Sequence, residues 1–150
     1  MLQKIKGERT LKPYIRYKIE DAGIEVNVDE KLTSEDYVGI KVDDYYAGLH
    51  EAIIPKAVDF AIVVDCSCST YVLYLLELKN VNSPKHLIIS DIHEKFKNTI
   101  SDFLSDRFKE IFMNDKYKYE DIKLYLVSDA YSEGGKYKDY DQYKKCVSKI

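Results

Sequence analysis

The chain has 150 residues, of which 45% are hydrophobic and 33% are charged, as expected for one globular domain with a buried core. This composition excludes a disordered or fibrous protein, and no run approaches the roughly 20 apolar residues of a membrane helix. Because residues 1–19 lack the apolar centre of a signal peptide and the net charge is only −3, we expect a cytoplasmic protein without strong overall basicity.

Basic groups are concentrated at the start of the chain. Residues 1–18 carry six basic groups and one acid, whereas residues 19–59 carry three basic groups and eleven acids. Lys12, Arg16 and Lys18 alternate with tyrosines, a combination that can contact phosphates and stack on bases. We predict nucleic-acid contacts at these three residues, with an ordinary solvated surface as the alternative.

Residues 10–28 alternate in places between apolar and polar side chains, with a turn at 21–23. The pattern fits two short strands or one helix ending near Gly23. After Ser34, the apolar spacing predicts a helix that is broken or replaced by a strand at 39–42 and ends before Pro55.

The stretch 58–81 contains two apolar, β-branched runs, 58–64 and 71–78, separated by small polar residues. This pattern predicts a β-hairpin in which facing residue numbers sum to about 136. Asp59 then faces Glu77, and Lys79 shares their face because side chains alternate along a strand. Asp65 lies beside the turn, twelve residues from Glu77 and on the order of tens of ångströms away, and is discounted.

The remaining elements follow the hairpin. Residues 80–85 are predicted to form a loop, and a helix begins at Ser90 or Asp91 and runs to about Met113 with one apolar stripe. Residues 122–127 form the next strand, and the lysine- and tyrosine-rich tail follows it. The apolar positions of the helix are Ile92, Phe96, Ile100, Phe103, Leu104, Phe108, Ile111 and Phe112.

Three cysteines without a repeated metal-binding spacing are expected to be reduced thiols. Cys66 and Cys68 lie in the predicted turn, where small turn residues are the simpler interpretation and half of a metal site is the alternative.

An aspartate followed by a second strand that ends in Glu-x-Lys resembles the PD-(D/E)XK nuclease superfamily, with Val58 in the place of the proline. The resemblance implies that Asp59 and Glu77 bind Mg²⁺ or Mn²⁺ and that the carbonyl of Leu78 adds a ligand. It also implies that Lys79 positions or activates the attacking water.

The position of Glu51 resembles the additional helical glutamate of some members of this superfamily, which joins the metal ligands. Asp43, Asp44 and His50 compete with Glu51 for that assignment. The order strand, strand, helix, strand also matches the core of the family, whose last strand lies parallel to a neighbour.

We therefore expect an α/β fold with a mixed sheet, a central hairpin flanked by helices and a restriction-endonuclease-like core. Residues 1–150 would form one domain, divided into an N-terminal extension (1–33), a core (34–129) and a tail (130–150). The expected function is metal-dependent hydrolysis of phosphodiester bonds, in DNA rather than RNA, by a chain that acts alone or as a homodimer. The alternatives are a catalytically silent binding or assembly subunit of a restriction or phage-defence system, and a small domain that meets only protein partners.

Overall fold

The structure, a computed structural model, describes residues 1–80 and 86–128. Its helical segments are α1 (Leu2–Gly7), a 3₁₀ turn (Lys12–Tyr14), α2 (Val42–Ala47), α3 (Ile89–Asn98), a π-helical segment (Thr99–Arg107) and α4 (Lys109–Phe112). Its strands are β1 (Ile15–Arg16), β2 (Ile19–Asp21), β3 (Ile24–Val26), β4 (Tyr37–Lys41), β5 (Phe60–Asp65), β6 (Thr70–Lys79) and β7 (Lys118–Ser128).

A mixed sheet in the order β1-β4-β5-β6-β7 forms the centre of the structure, and β2 and β3 form a separate hairpin. The pairs β1–β4, β4–β5 and β5–β6 are antiparallel, whereas β7 lies parallel to β6. A parallel neighbour requires a crossover, which α3, the π-helical segment and α4 provide. The predicted mixed sheet with a central hairpin and a parallel last strand is confirmed.

The register of the central hairpin agrees with the prediction. Phe60 pairs with Leu76 and Asp65 pairs with Tyr71, so facing residue numbers sum to 136 as expected. The turn is made by Ser67, Cys68 and Ser69, whose φ angles of 75°, 52° and 61° are all positive. Cys66 and Cys68 are both exposed free thiols.

The helix predicted to begin at Ser34 is wrong over its first part, whereas the alternative of a strand near 39–42 is correct. Tyr37–Lys41 is a strand, and the helix occupies only Val42–Ala47. All five residues of β4 are buried, because both faces of this strand are covered. A strand buried on both faces shows no alternation, so its apolar residues could be mistaken for one side of a helix.

The predicted helix from Ser90 to Met113 has nearly the predicted length but changes geometry in the middle. Its centre is π-helical, and the Phe108 N–H donates to the Phe103 carbonyl five residues earlier at 3.1 Å. The wider turn buries Thr99 and leaves Ile100 36% exposed. The other predicted stripe positions are buried as expected.

The first 33 residues contribute to the body of the fold. Leu2 and Ile5 of α1 are buried in the main core, and β1 pairs with β4. Of the alternatives for residues 10–28, the strands are correct and the helix is wrong.

In the described part of the chain, no helix is both long enough and apolar enough to cross a membrane. The tail predicted at 130–150 and most of the loop predicted at 80–85 lie outside the described residues.

Candidate active site

The predicted acidic pair lies at the end of the hairpin farthest from its turn. Asp59 directly precedes β5, and Glu77 and Lys79 lie in the last three residues of β6. The exposed fractions of Asp59 and Glu77 are only 5% and 0%. Two acidic residues are therefore withdrawn from water at the position where the sequence predicted them.

Asp59 is held in place by main-chain contacts. Its Oδ2 accepts a hydrogen bond from the N–H of Leu78 at 2.6 Å, and its carbonyl accepts one from the N–H of Val42 at 2.9 Å. Burial, together with the negative charge of Glu77, raises the pKa of Asp59 to about 6. The side chain is therefore fixed in space and costly to ionise, and a nearby cation would stabilise its ionised form.

Glu77 has one carboxylate oxygen with partners and one without. Oε1 lies 2.6 Å from Nζ of Lys95 and 2.9 Å from Nζ of Lys79. Oε2 is buried and has no hydrogen-bond partner among the described residues. Because a buried carboxylate oxygen without a donor or cation is costly, this atom is the most suitable free ligand position in the site.

Lys95 connects the two acidic residues. Besides its contact with Glu77, its Nζ lies 3.9 Å from Oδ1 of Asp59. Lys95 belongs to α3, so the crossover helix supplies a cation to the end of the hairpin. Lys95 was not among the residues predicted for the site.

A second acidic group adjoins Asp59. One carboxylate oxygen each from Asp21, Asp43 and Asp59 lies within 4.8 Å of the others. The buried Lys41 neutralises part of this charge, with its Nζ 2.7 Å from Asp21 and 2.9 Å from Asp43. Burial alone would lower the pKa of Lys41, but these hydrogen bonds outweigh it and raise the pKa. Burial raises the pKa of Asp43 despite the contact with Lys41.

Asp21 reaches the site through the turn of the β2–β3 hairpin. Its Oδ1 accepts a hydrogen bond from the N–H of Ala22 at 2.7 Å, and Ala22 and Gly23 have positive φ angles of 50° and 80°. The side chain of Asn80, which directly follows β6, donates to the carbonyl of Ala22 at 2.9 Å. The hydrogen bond from Asn80 holds the turn beside the end of β6.

A cleft of about 430 Å³ opens next to Glu77, between the end of β6 and α3. Of the residues that the structure describes, the lysines Lys56, Lys79 and Lys95 line it together with His86. Lys56 is already paired with Asp91 at 3.1 Å and Glu94 at 2.8 Å. The cleft thus combines a buried acidic residue with basic groups near the surface, an arrangement suited to a cation together with an anion.

The structure does not bring Glu51 into contact with Asp59 or Glu77. Glu51 lies in the segment after α2, exposed, where its two oxygens accept hydrogen bonds from Arg107 at 2.8 and 2.9 Å. The helix predicted around it is absent. Of the alternatives considered for this position, only Asp43 joins the acidic group at Asp59.

Two of the three predicted nucleic-acid contacts have acidic neighbours. Lys18 lies 2.5 Å from Glu20 and 3.6 Å from Glu25, and Arg16 lies 3.5 Å from Asp44. Lys12 is exposed in the 3₁₀ turn. The positive charge of this segment is therefore reduced by acidic residues of the same region.

Among the described residues, four carboxylates and three lysines make up this group: Asp21, Asp43, Asp59, Glu77, Lys41, Lys79 and Lys95. When all are ionised, one negative charge is left in excess, which favours binding of a further cation.

Comparison of the chain with protein-family models, with curated proteins and with solved structures found no match.

Proposed function

We propose that the chain is a divalent-metal-dependent phosphodiesterase of the cytoplasm that hydrolyses DNA. The observation that carries this proposal is the buried pair Asp59 and Glu77, in which Oε2 of Glu77 has no partner among the described residues. A structural acidic residue in that position would be expected to have both oxygens satisfied. An unsatisfied oxygen beside a second buried carboxylate fits a metal ligand.

Asp59 and Glu77 would hold the metal, and hard oxygen ligands suit Mg²⁺ or Mn²⁺. The main chain of Leu78 supports a third ligand. Because the N–H and the carbonyl of one residue in an antiparallel strand point to the same neighbour, the carbonyl of Leu78 lies on the side to which its N–H contacts Asp59. The fit therefore includes the carbonyl that the family resemblance implies.

A bound divalent cation would supply an acidified water as nucleophile and neutralise charge on the phosphate. Lys79 lies beside Glu77 and lines the cleft. Burial alone would lower the pKa of Lys79, but the hydrogen bond to Glu77 and the negative charges of Glu77 and Asp59 together outweigh burial and raise the pKa. A lysine that stays protonated orients the water or the phosphate and does not serve as the base.

The topology gives additional support. The hairpin that carries Asp59, Glu77 and Lys79 is followed by a helical crossover and a strand parallel to β6, the order expected for a restriction-endonuclease-like core. Catalytic residues held at the ends of sheet strands are well fixed relative to each other. We propose DNA as the substrate because phosphodiester hydrolysis of DNA is the activity that this resemblance implies.

One observation favours the alternative of a catalytically silent nuclease-fold subunit. The ammonium groups of Lys41, Lys79 and Lys95 already contact the acidic residues, and these contacts could be permanent structural ion pairs. The two proposals differ in whether a metal binds at Asp59 and Glu77.

A cleavage assay separates them. Purified protein is incubated with circular and linear DNA, and with RNA, in Mg²⁺, Mn²⁺ or a chelator, beside Lys79→Ala and the matched control Lys109→Ala. Lys79→Ala should keep the fold because Lys95 still pairs with Glu77, and Lys109 is exposed on α4. Metal-dependent cleavage that is lost only in Lys79→Ala supports the enzyme, whereas absence of cleavage by wild type under every condition supports the silent subunit.

A further inference from the structure

Lys95 occupies the space between the two acidic residues of the site. Its Nζ is 2.6 Å from Oε1 of Glu77 and 3.9 Å from Oδ1 of Asp59. A cation that coordinates both carboxylates, whether through Oε1 of Glu77 or through the unpartnered Oε2, has to lie close to this ammonium group. The ammonium group therefore lies in the region that a metal bound by both residues would take.

An ammonium group and a divalent cation repel each other strongly at such distances, particularly away from bulk water. Lys79 also contacts Oε1 of Glu77, but its side chain is 37% exposed, whereas that of Lys95 is 20% exposed. Among the described residues, Lys95 is also the only lysine that forms an ion pair with both Asp59 and Glu77. Of these two lysines, Lys95 is therefore the one that competes more directly with a metal for the two carboxylates.

The side chain of Lys95 can move into a neighbouring cleft. It lines the cleft of about 430 Å³ beside Glu77, together with Lys56, Lys79 and His86. Lysine has a flexible four-carbon stem, so its ammonium can move several ångströms without a change in the helix. The two positions, between the carboxylates and in the cleft, can thus be reached from one backbone.

We propose that Lys95 is an exchangeable counterion: it neutralises Asp59 and Glu77 when no divalent cation is bound, and a cation displaces it into the cleft, where it binds a phosphodiester. The second half of this proposal rests on the proposed function. The exchange keeps the buried carboxylates neutralised in both states, and it adds a positive charge to the cleft only when the metal is present.

The charges around the cleft agree with this sequence of events. Lys56 is held by Asp91 and Glu94, and Lys79 is held by Glu77. Without the metal, therefore, each lysine of the cleft within the described residues has an acidic partner, and none of these lysines is free for a phosphate. Displacement of Lys95 creates the free cation that an anionic substrate requires, so metal and phosphodiester should bind cooperatively.

The test is isothermal titration of Mn²⁺ into wild type, Lys95→Met and the control Lys97→Met at pH 8. Lys97 lies two residues away on the same helix and is exposed. Removal of a competing ammonium should tighten Mn²⁺ binding by about tenfold, whereas Lys97→Met should bind as wild type does. Unchanged or weaker Mn²⁺ binding by a folded Lys95→Met variant would overturn the proposal, as would absence of binding in all three proteins.

A second titration tests the role in the cleft. A short DNA duplex is titrated into the same three proteins with Ca²⁺ and again with a chelator. Wild type and Lys97→Met should gain affinity for DNA when the metal is added, and Lys95→Met should lose most of this gain. If Mn²⁺ binding tightens in Lys95→Met but wild type neither binds nor cleaves DNA, the counterion exchange stands and the proposed nuclease function fails.

Discussion

Oδ2 of Asp59 accepts a hydrogen bond from the main-chain N–H of Leu78 at 2.6 Å. The residue facing Leu78 in this register would be Val58, but β5 begins only at Phe60, and the N–H of Val58 donates instead to Thr99. The carboxylate of Asp59 thus replaces a missing sheet hydrogen bond of β6. It joins the two strands of the hairpin at the point where the site begins.

This position predicts a stability cost for the charge of Asp59. Its pKa is about 6 in the folded protein and about 3.9 in an unfolded chain. An acid with a raised pKa stabilises the fold when protonated, so its contribution falls as pH rises from about 4 to above 6, by about 2–3 kcal/mol in total. In a chelator, Asp59→Asn should therefore be about 1–2 kcal/mol more stable than wild type at pH 8.

Urea denaturation at pH 8 and pH 4 measures this difference. Asparagine keeps an oxygen that can accept the Leu78 N–H, so the variants should converge near pH 4. A variant that is less stable than wild type at pH 8 would show that the ion pair with Lys95 outweighs burial and the repulsion from Glu77.

Lys41 should reduce the dependence of the stability of the fold on divalent cations. It is 7% exposed and contacts Asp21 and Asp43, whose side chains are 36% and 35% exposed. Loss of a buried pair costs about 3–5 kcal/mol, and partial exposure of the carboxylates reduces the expected cost of Lys41→Met to about 2 kcal/mol. With the ammonium gone, Mg²⁺ or Ca²⁺ can neutralise the three carboxylates.

Thermal unfolding with and without millimolar Mg²⁺ checks this expectation. Lys41→Met should regain stability on addition of Mg²⁺ by more than wild type does, while Lys12→Met, a change at an exposed residue, should behave as wild type. Equal responses of all three proteins would contradict the expectation.

Gly39 should be required for the pairing of β1 with β4. A Cβ at this position would lie 2.6 Å from the main-chain oxygen of Arg16 and 2.6 Å from Cδ1 of Ile19. Since the main chain of Arg16 cannot move without breaking the pairing, Gly39→Ala should cost about 1–3 kcal/mol. Gly7→Ala is the control, because a Cβ there meets nothing within 4 Å, and equal stability of the two variants would contradict the expectation.

Thr99 should position the site from a distance. It is completely buried, and its Oγ1 accepts the Val58 N–H at 3.1 Å, one residue before Asp59. Thr99→Val leaves a buried N–H unsatisfied and should cost about 1–3 kcal/mol, with weaker Mn²⁺ binding. Thr99→Ser keeps the hydroxyl and should restore Mn²⁺ affinity as measured by calorimetry; failure of serine to do so would show that the hydrogen bond does not position Asp59.

The hairpin and its register could be predicted because they depend on local pattern. Two β-branched runs around a short polar turn have few ways to pair. The predicted register therefore placed Asp59 opposite Glu77. The helix predicted from Ser34 failed because β4 is buried on both faces and carries no alternation. The π-helical segment was not predicted. It is seen in the hydrogen bond from the Phe108 N–H to the Phe103 carbonyl, five residues earlier in the chain.

The other members of the site could not be found in this way. Lys95 reaches Glu77 across 18 residues, and Lys41 reaches Asp21 across 20. Both contacts depend on how helices and hairpins pack, and no local spacing encodes them. The one available signal was the presence of charged residues at the ends of otherwise apolar strands, as for Lys41 after Ile40.

The most direct test of the central claim compares two aspartates at opposite ends of one strand. Asp59 directly precedes β5 and is buried, whereas Asp65 is the last residue of β5 and is exposed beside the turn. Mn²⁺-dependent DNA cleavage is measured under single-turnover conditions for wild type, Asp59→Asn and Asp65→Asn. We predict that Asp59→Asn lowers the rate by about a hundredfold or more and that Asp65→Asn cleaves at the wild-type rate. Cleavage by Asp59→Asn at the wild-type rate, or no cleavage by wild type, would contradict the assignment of Asp59 and Glu77 as a catalytic metal site.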